Sequence, residues 1–158
     1  MNKNVIIVDD DESFRFFITD HIKNMNLQLN PVDFAAPSLA LDHIRKRSEP
    51  AALYLVDMNP YLGKSFSFLE YELGYVREKY PELEATILLY EELRSSNWHD
   101  RFYYMTSHLG DWGEGILQRT GASHIMKYAP GARSPVICLL DNISSVIARG
   151  IEDETKPD

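Results

Sequence analysis

Four short apolar runs in this chain each end on a polar residue suited to chemistry. Val5-Ile6-Ile7-Val8 runs into Asp9-Asp10-Asp11, and Leu53-Tyr54-Leu55-Val56 into Asp57. Phe102-Tyr103-Tyr104-Met105 runs into Thr106, and His124-Ile125-Met126 into Lys127. Short apolar runs rich in β-branched and aromatic residues read as buried strands. Segments of helical periodicity separate them, and strands alternating with helices imply parallel pairing with right-handed crossovers. In a parallel sheet the carboxyl ends of the strands share one edge, where ligands bind. The four strand ends would then bring carboxylates, a hydroxyl and an ammonium to one crevice. Such a set suits a divalent cation and a phosphoryl group.

The bulk properties narrow the function classes. A chain of 158 residues fits one domain with a proper core. With 44% hydrophobic and 25% charged residues, it has the balance of an ordinary globular protein. Its formal net charge of -8 argues against direct nucleic-acid binding, which needs a basic face, and against docking on an anionic membrane. The lone Cys138, placed in a helix by its surroundings, permits no intrachain disulfide and reads as a core thiol. The start of the chain lacks a secretory core, and no run reaches the length of a membrane span. A reducing cytoplasm is the expected location.

The remaining elements follow from periodicity and punctuation. Helix 1 begins near Asp11, capped by Asp11 or Ser13, with Phe14, Phe17, Ile18, His21 and Ile22 on one face. Leu27–Phe34 holds a weaker strand, and Pro31 marks it as an edge. Ser38 is the expected cap of helix 2, whose stripe is Leu39, Leu41 and Ile44. Gly110–Thr120 reads as a short helix stopped by Gly121 and weakened by Gly113 and Gly115 at roughly 1 kcal/mol each. A last helix is expected from Pro135 to Arg149, with Val136, Leu139, Leu140, Ile143 and Ile147 inward. Residues 151–158 read as a disordered polar tail.

The third crossover is long. Forty-eight residues lie between Asp57 and Thr106, where a whole strand–helix–strand unit needs about 30. Leu62, Phe66, Leu69, Leu73, Val76 and Tyr80 recur at steps of four and three, which predicts one helix. Pro81 with Glu82 and Glu84 opens another, carried by Leu83, Ile87 and Tyr90 to near Ser95. Ala85–Tyr90 is ambiguous by period and is also readable as a strand.

Clustered carboxylates stay ionised together only if a cation joins them. Oxygen ligands without Cys or His favour a hard ion, and Mg²⁺ takes one or two carboxylates plus phosphate oxygens. Asp9, Asp10 and Asp57 supply such a site. A carboxylate can also act as a nucleophile and form an aspartyl-phosphate. Thr106 can hydrogen-bond a phosphoryl oxygen, and Lys127 can neutralise another. Singly these residues are ordinary loop solvators; their joint placement at strand ends carries the reading.

With those residues in view, the sequence resembles the CheY-like receiver domain of response regulators in two-component signalling. The matching motifs are Ile6-Ile7-Val8-Asp9-Asp10-Asp11-Glu12, Leu55-Val56-Asp57-Met58, Tyr104-Met105-Thr106-Ser107 and Gly121-Ala122-Ser123-His124-Ile125-Met126-Lys127. The resemblance implies a receiver domain over 1–150: a doubly wound, flavodoxin-like α/β fold. Its five-stranded parallel sheet has the order 2-1-3-4-5, with an extended helical insertion at about 60–100. It implies phosphoryl transfer to Asp57 from a sensor histidine kinase or phosphotransfer protein, and a switch in binding to a downstream protein. Mg²⁺ would be held by Asp9, Asp10, Asp57 and the backbone carbonyl of Asn59. Thr106 and Lys127 would contact the phosphoryl group, Ser107 would leave access to it, and Thr106 and His124 would form the switch. Turnover would be limited to self-phosphorylation and self-dephosphorylation.

Three departures stand out. Tyr128, not proline, follows Lys127, so a trans bond is expected there, since a non-proline cis bond costs about 2.5–4 kcal/mol. Pro60 falls one residue early after Asp57. The insertion is rich in aromatics, and Phe68, Tyr71 and Tyr75 lie off its apolar stripe, which suggests a surface for a partner or a second subunit. Two other readings remain open. One is a small Mg²⁺-dependent phosphohydrolase with Asp57 or Asp9 as nucleophile, Asp11 completing an Asp-x-Asp pattern and the insertion acting as a cap. The other is a pseudo-receiver that binds partners without phosphorylation.

Overall fold

The computed structural model describes residues 3–25, 27–61, 64, 66–127 and 141–149. Strands β1 (Asn4–Val8), β2 (Asn30–Phe34), β3 (Leu53–Asp57), β4 (Phe102–Thr106) and β5 (Ser123–Met126) form one parallel sheet in the order β2-β1-β3-β4-β5. Helices α1 (Glu12–Asn24), α2 (Pro37–Arg45), α3 (Phe68–Glu72), α4 (Pro81–Ser95), α5 (Asp111–Thr120) and α6 (residues 141–149) surround it. Among the described residues, no helix is long and apolar enough to cross a membrane.

The period of two in the strands divides the core into two layers. Ile6, Val8, Tyr54, Val56, Phe102 and Tyr104 face one side, under α2, α4 and α5. Val5, Ile7, Leu53, Leu55, Met105 and Ile125 face the other, under α1 and α6, where Ile143 and Ile147 are buried as expected. Pro31 pairs with Val5 on the edge strand β2, where a missing N–H is tolerated. The α1 cap is Asp11, whose carboxylate accepts from the amides of Ser13 and Phe14.

Several helix faces differ from the sequence reading. Phe17 and Leu39 are exposed, not inward, because Ile18 and Ile22 on α1 and Ala40, Leu41 and Ile44 on α2 already fill the narrow contact with the sheet. Ser38 is not the cap of α2. Ala36 holds that position and Pro37 opens the helix, while the Ser38 amide and hydroxyl both donate to Glu82 of α4.

The largest correction falls in the third crossover. The Leu62–Tyr80 stripe is not one helix: α3 spans only Phe68–Glu72, and Gly74, at φ +86°, breaks the spiral in the left-handed region that favours glycine. Leu69 and Leu73 consequently point outward at 61% and 57% exposure. Tyr71 is buried and Phe68 half-buried instead. Tyr75 is 76% exposed, so the two tyrosines off the stripe part company. Helix α4 runs as expected from Pro81 to Ser95, with Leu83, Ile87 and Tyr90 inward, which settles Ala85–Tyr90 as helix.

The glycines of α5 make room for the crossover. A Cβ on Gly115 would lie 2.1 Å from Phe68 Cγ, and one on Gly113 would lie 2.8 Å from Met58 Sδ. The sequence cost assigned to these glycines is real, and close approach of α3 and of the loop after β3 is the compensating gain. Gly121, at φ +70°, closes α5 with its N–H on Leu117 O. Cys138, Tyr128, Val136, Leu139, Leu140, the expected start of the last helix at Pro135, and the 151–158 tail lie outside the described residues.

Candidate functional site

Strand register brings the site together. Val8 pairs with Val56, so Asp9 and Asp57, one residue on, leave the sheet side by side. Asp57 pairs with Met105, which precedes Thr106, and Thr106 pairs with Met126, which precedes Lys127. All four candidate side chains thus emerge at one edge. Strands lie roughly 4.8 Å apart, so a side chain on β5 must be long to reach β3 and β1. Lys127 spans that gap: its Nζ lies 2.6 Å from Asp9 Oδ2 and 2.8 Å from Asp57 Oδ1. The ammonium also sits 4.7 Å from the centre of the Phe14 ring, a cation–π contact.

The surrounding backbone is fixed. The Lys127 amide donates to Thr106 O at 2.7 Å, and the Met58 amide to Met105 O at 2.8 Å. Asp9 Oδ1 accepts from the Asp11 amide, and its carbonyl accepts from Arg15 Nη1 at 2.7 Å. Thr106 donates its hydroxyl to His108 O at 2.7 Å and accepts from the His108 amide at 3.2 Å.

Charge in the site is unbalanced. Asp9, Asp57 and Lys127 are all buried, and Asp10 stands half-buried beside them. Burial pushes the Asp57 carboxyl up from 3.8 to about 7; Lys127 opposes the rise and Asp9 adds to it. Burial also raises Asp9, against the pull of Lys127. Lys127 itself would be depressed by burial, but the charges of Asp57 and Asp9 outweigh this and raise it. One ammonium serves two buried carboxylates, and a third carboxylate stands at the rim. The pocket is short of positive charge.

A divalent cation fits that shortage. Asp9, Asp10 and Asp57 each offer an oxygen within 4.8 Å of the others, with no sulfur or imidazole among them. This donor set suits a hard ion such as Mg²⁺. Asp10 and Asp57 line a cleft of about 680 Å³ together with Asn59, Thr106, Ser107 and Lys127, and Asp9 lies buried behind it. Asn59 is half-buried, and its side chain is occupied locally: Nδ2 donates to Lys64 O and Oδ1 accepts from the Tyr61 amide. Ser107 is exposed at the rim. His124 is exposed on β5 and contributes nothing to the cluster in this arrangement.

Two residues of the site's surround escaped the sequence reading. Trp112 is buried and donates its Nε1–H to Met58 O at 2.9 Å, one residue from Asp57. Asp111 accepts from the Phe68 amide at 2.8 Å. The glycine pair of α5 was the available signal, since glycines inside a helix often mark a close neighbour.

No protein-family model matches this sequence, and no curated protein does. Solved structures match its fold. A response regulator receiver protein from Pseudoalteromonas atlantica is 14% identical at a TM-score of 0.61, covering 96% of this chain and 99% of its own. A CheY-like receiver domain protein from Methanospirillum hungatei is 16% identical at 0.61, covering 97% and 99%. The chemotaxis protein CheY4 of Vibrio cholerae is 14% identical at 0.58, covering 92% and 99%. Over nearly its whole length, this chain has the CheY-like fold of the response regulator receiver domains, with a carboxylate cluster, a threonine and a lysine at the carboxyl edge of the sheet.

Proposed function

We propose that the protein is a phosphorylation-dependent switch that accepts a phosphoryl group on Asp57. The observation that carries this reading is the buried, charge-deficient cluster in which Lys127 joins Asp9 and Asp57 at 2.6 and 2.8 Å. A structural ion pair has no need of a second buried carboxylate. A site that receives a cation and a phosphoryl group does.

Mg²⁺ would be held by Asp9, Asp10, Asp57 and the Asn59 carbonyl, and when bound it supplies the positive charge that lets the carboxylates and an incoming phosphoryl group coexist. Lys127 occupies Oδ1 of Asp57, which leaves the second carboxylate oxygen as nucleophile. That oxygen attacks phosphorus, a new O–P bond forms, and the bond to the donor breaks with its electron pair leaving on the donor. The donor would be a phosphohistidine of a sensor kinase or phosphotransfer protein, or a small acyl phosphate. Lys127 then neutralises a phosphoryl oxygen. Thr106 turns its hydroxyl from the His108 carbonyl to another, and His124 is the residue that would follow it. Hydrolysis of the aspartyl-phosphate resets the switch, so the chain turns over no external substrate. A downstream protein would read the two states, and the reading places the protein in the cytoplasm.

Incubation with acetyl phosphate tests this. The protein should gain one phosphoryl mass with Mg²⁺, none with EDTA, and the adduct should be cleaved by hydroxylamine, as acyl phosphates are. A hydroxylamine-stable adduct, or equal labelling in EDTA, would count against it.

A further inference from the structure

Helix α3 is anchored through two rings, the buried Tyr71 and the half-buried Phe68. The helix has five residues, too few to be stable alone. Leu69 on its outward side and Leu73 at its end are mostly exposed, and Gly74 follows with a positive φ. Both rings seat on α5. The Phe68 ring lies over Gly115 and 5.7 Å from the Trp112 ring, Tyr71 packs edge-on to Trp112 at 5.3 Å, and the Phe68 amide donates to Asp111.

That seat is wired to the site. Trp112 donates to Met58 O, directly after Asp57. The Thr106 hydroxyl fastens His108, in the loop that leads into α5. The first turn of α5 therefore touches α3 and the residue after β3, while the loop that leads into it is tied to the end of β4.

We propose that α3 is a latch, docked on α5 while the site is at rest and released when Asp57 carries a phosphoryl group. This rests on the reading of Asp57 as phosphoacceptor. When the Thr106 hydroxyl turns inward it gives up His108 O, the 107–110 loop relaxes, and Asp111 and Trp112 shift. The Phe68 seat, built to fit a glycine, loses its shape. Release would present Leu69, Leu73, Phe68 and Tyr71 together and uncover the α5 face beneath.

Hydrogen exchange of the 69–75 amides, run beside intact-mass measurement, tests the latch. Phosphorylated protein should exchange these amides about tenfold faster than unmodified protein, while β3 and α4 stay protected. A phosphoryl mass gain with unchanged exchange in this segment overturns the latch and leaves the phosphoacceptor reading intact. A second arm does not need phosphorylation, because coupling between two sites is reciprocal. Phe68→Ala and Gly115→Ala, each confirmed by exchange to have freed α3, should change the Mg²⁺ dissociation constant by about fivefold or more. An unchanged constant in both variants overturns the latch even if the protein accepts no phosphoryl group.

Discussion

The carboxyl edge of the sheet and the third crossover are built in opposite ways. At the edge, hydrogen-bond register alone sets where Asp9, Asp57, Thr106 and Lys127 leave the backbone. A one-residue slip would turn every one of them to the wrong face, so the strands specify the site strongly. In the crossover, position depends on rings meeting absent side chains: Phe68 on Gly115, and Tyr71 and Phe68 around Trp112. Register-built geometry persists as long as the sheet does. Geometry built on a seat of this kind depends on a few ring contacts, those of Phe68 and Tyr71 with α5.

Breaking the edge should have the largest effect. Lys127→Ala leaves two buried carboxylates facing each other without a cation, and losing one partner of a buried pair costs about 3–5 kcal/mol. Urea unfolding in EDTA should show that loss, and added Mg²⁺ should recover part of it. A variant as stable as the parent would mean the ion pair is not formed.

Asp57→Asn should act in the reverse direction. A carboxyl raised from 3.8 to about 7 holds its proton more tightly in the folded state than in the unfolded chain. Without a divalent cation, stability should therefore fall as pH rises from about 4 to about 7, and level off above. Removing that charge should flatten the slope and raise Tm at pH 8, by roughly 2–4 °C for each kcal/mol of repulsion relieved. Thermal melts in EDTA across this range decide it; an unchanged slope would show that Asp57 does not carry the strain.

The crossover should respond more mildly. Gly115→Ala gains about 1 kcal/mol of helix propensity but collides with Phe68, and overpacking of this kind costs about 1–3 kcal/mol. A net loss of up to about 2 kcal/mol is expected, with local exchange around α3 rising more than global stability falls. A net gain equal to the propensity term would mean that the ring does not sit on this glycine. The smallest effect belongs to Tyr104, which is fully buried and donates to Thr86 O at 2.8 Å between β4 and α4. Tyr104→Phe should cost about 1 kcal/mol by denaturant titration, without changing cation affinity, since the bond lies away from the cluster.

The two regions also differed in how far they could be read from the sequence. Strand ends were legible because each apolar run is short, bounded and followed by a polar residue. Asp9, Asp57, Thr106 and Lys127 therefore fell at one edge as expected. The sheet order came with the family resemblance and agrees with the pairing observed. The crossover misled because Leu69 and Leu73 keep perfect helical time while facing water. The interior partners of α3 are on α5, forty residues away, and nothing in the local period announces them. Ser38 failed for the same reason: its bonds go to Glu82 on another helix and not to its own. Periodicity describes one element at a time, and what it misses here are contacts between elements.

If the register-built cluster makes Asp57, and no other carboxylate in the crevice, the acceptor, the modified position can be read out directly. Borohydride reduces an acyl phosphate to the alcohol, so a phosphorylated aspartate is left as homoserine at its own position. After treatment with acetyl phosphate and Mg²⁺, peptide sequencing by mass spectrometry should find homoserine at position 57, and no conversion in Asp57→Asn. Homoserine at Asp9 or Asp10, or an undiminished yield in the variant, would contradict the account.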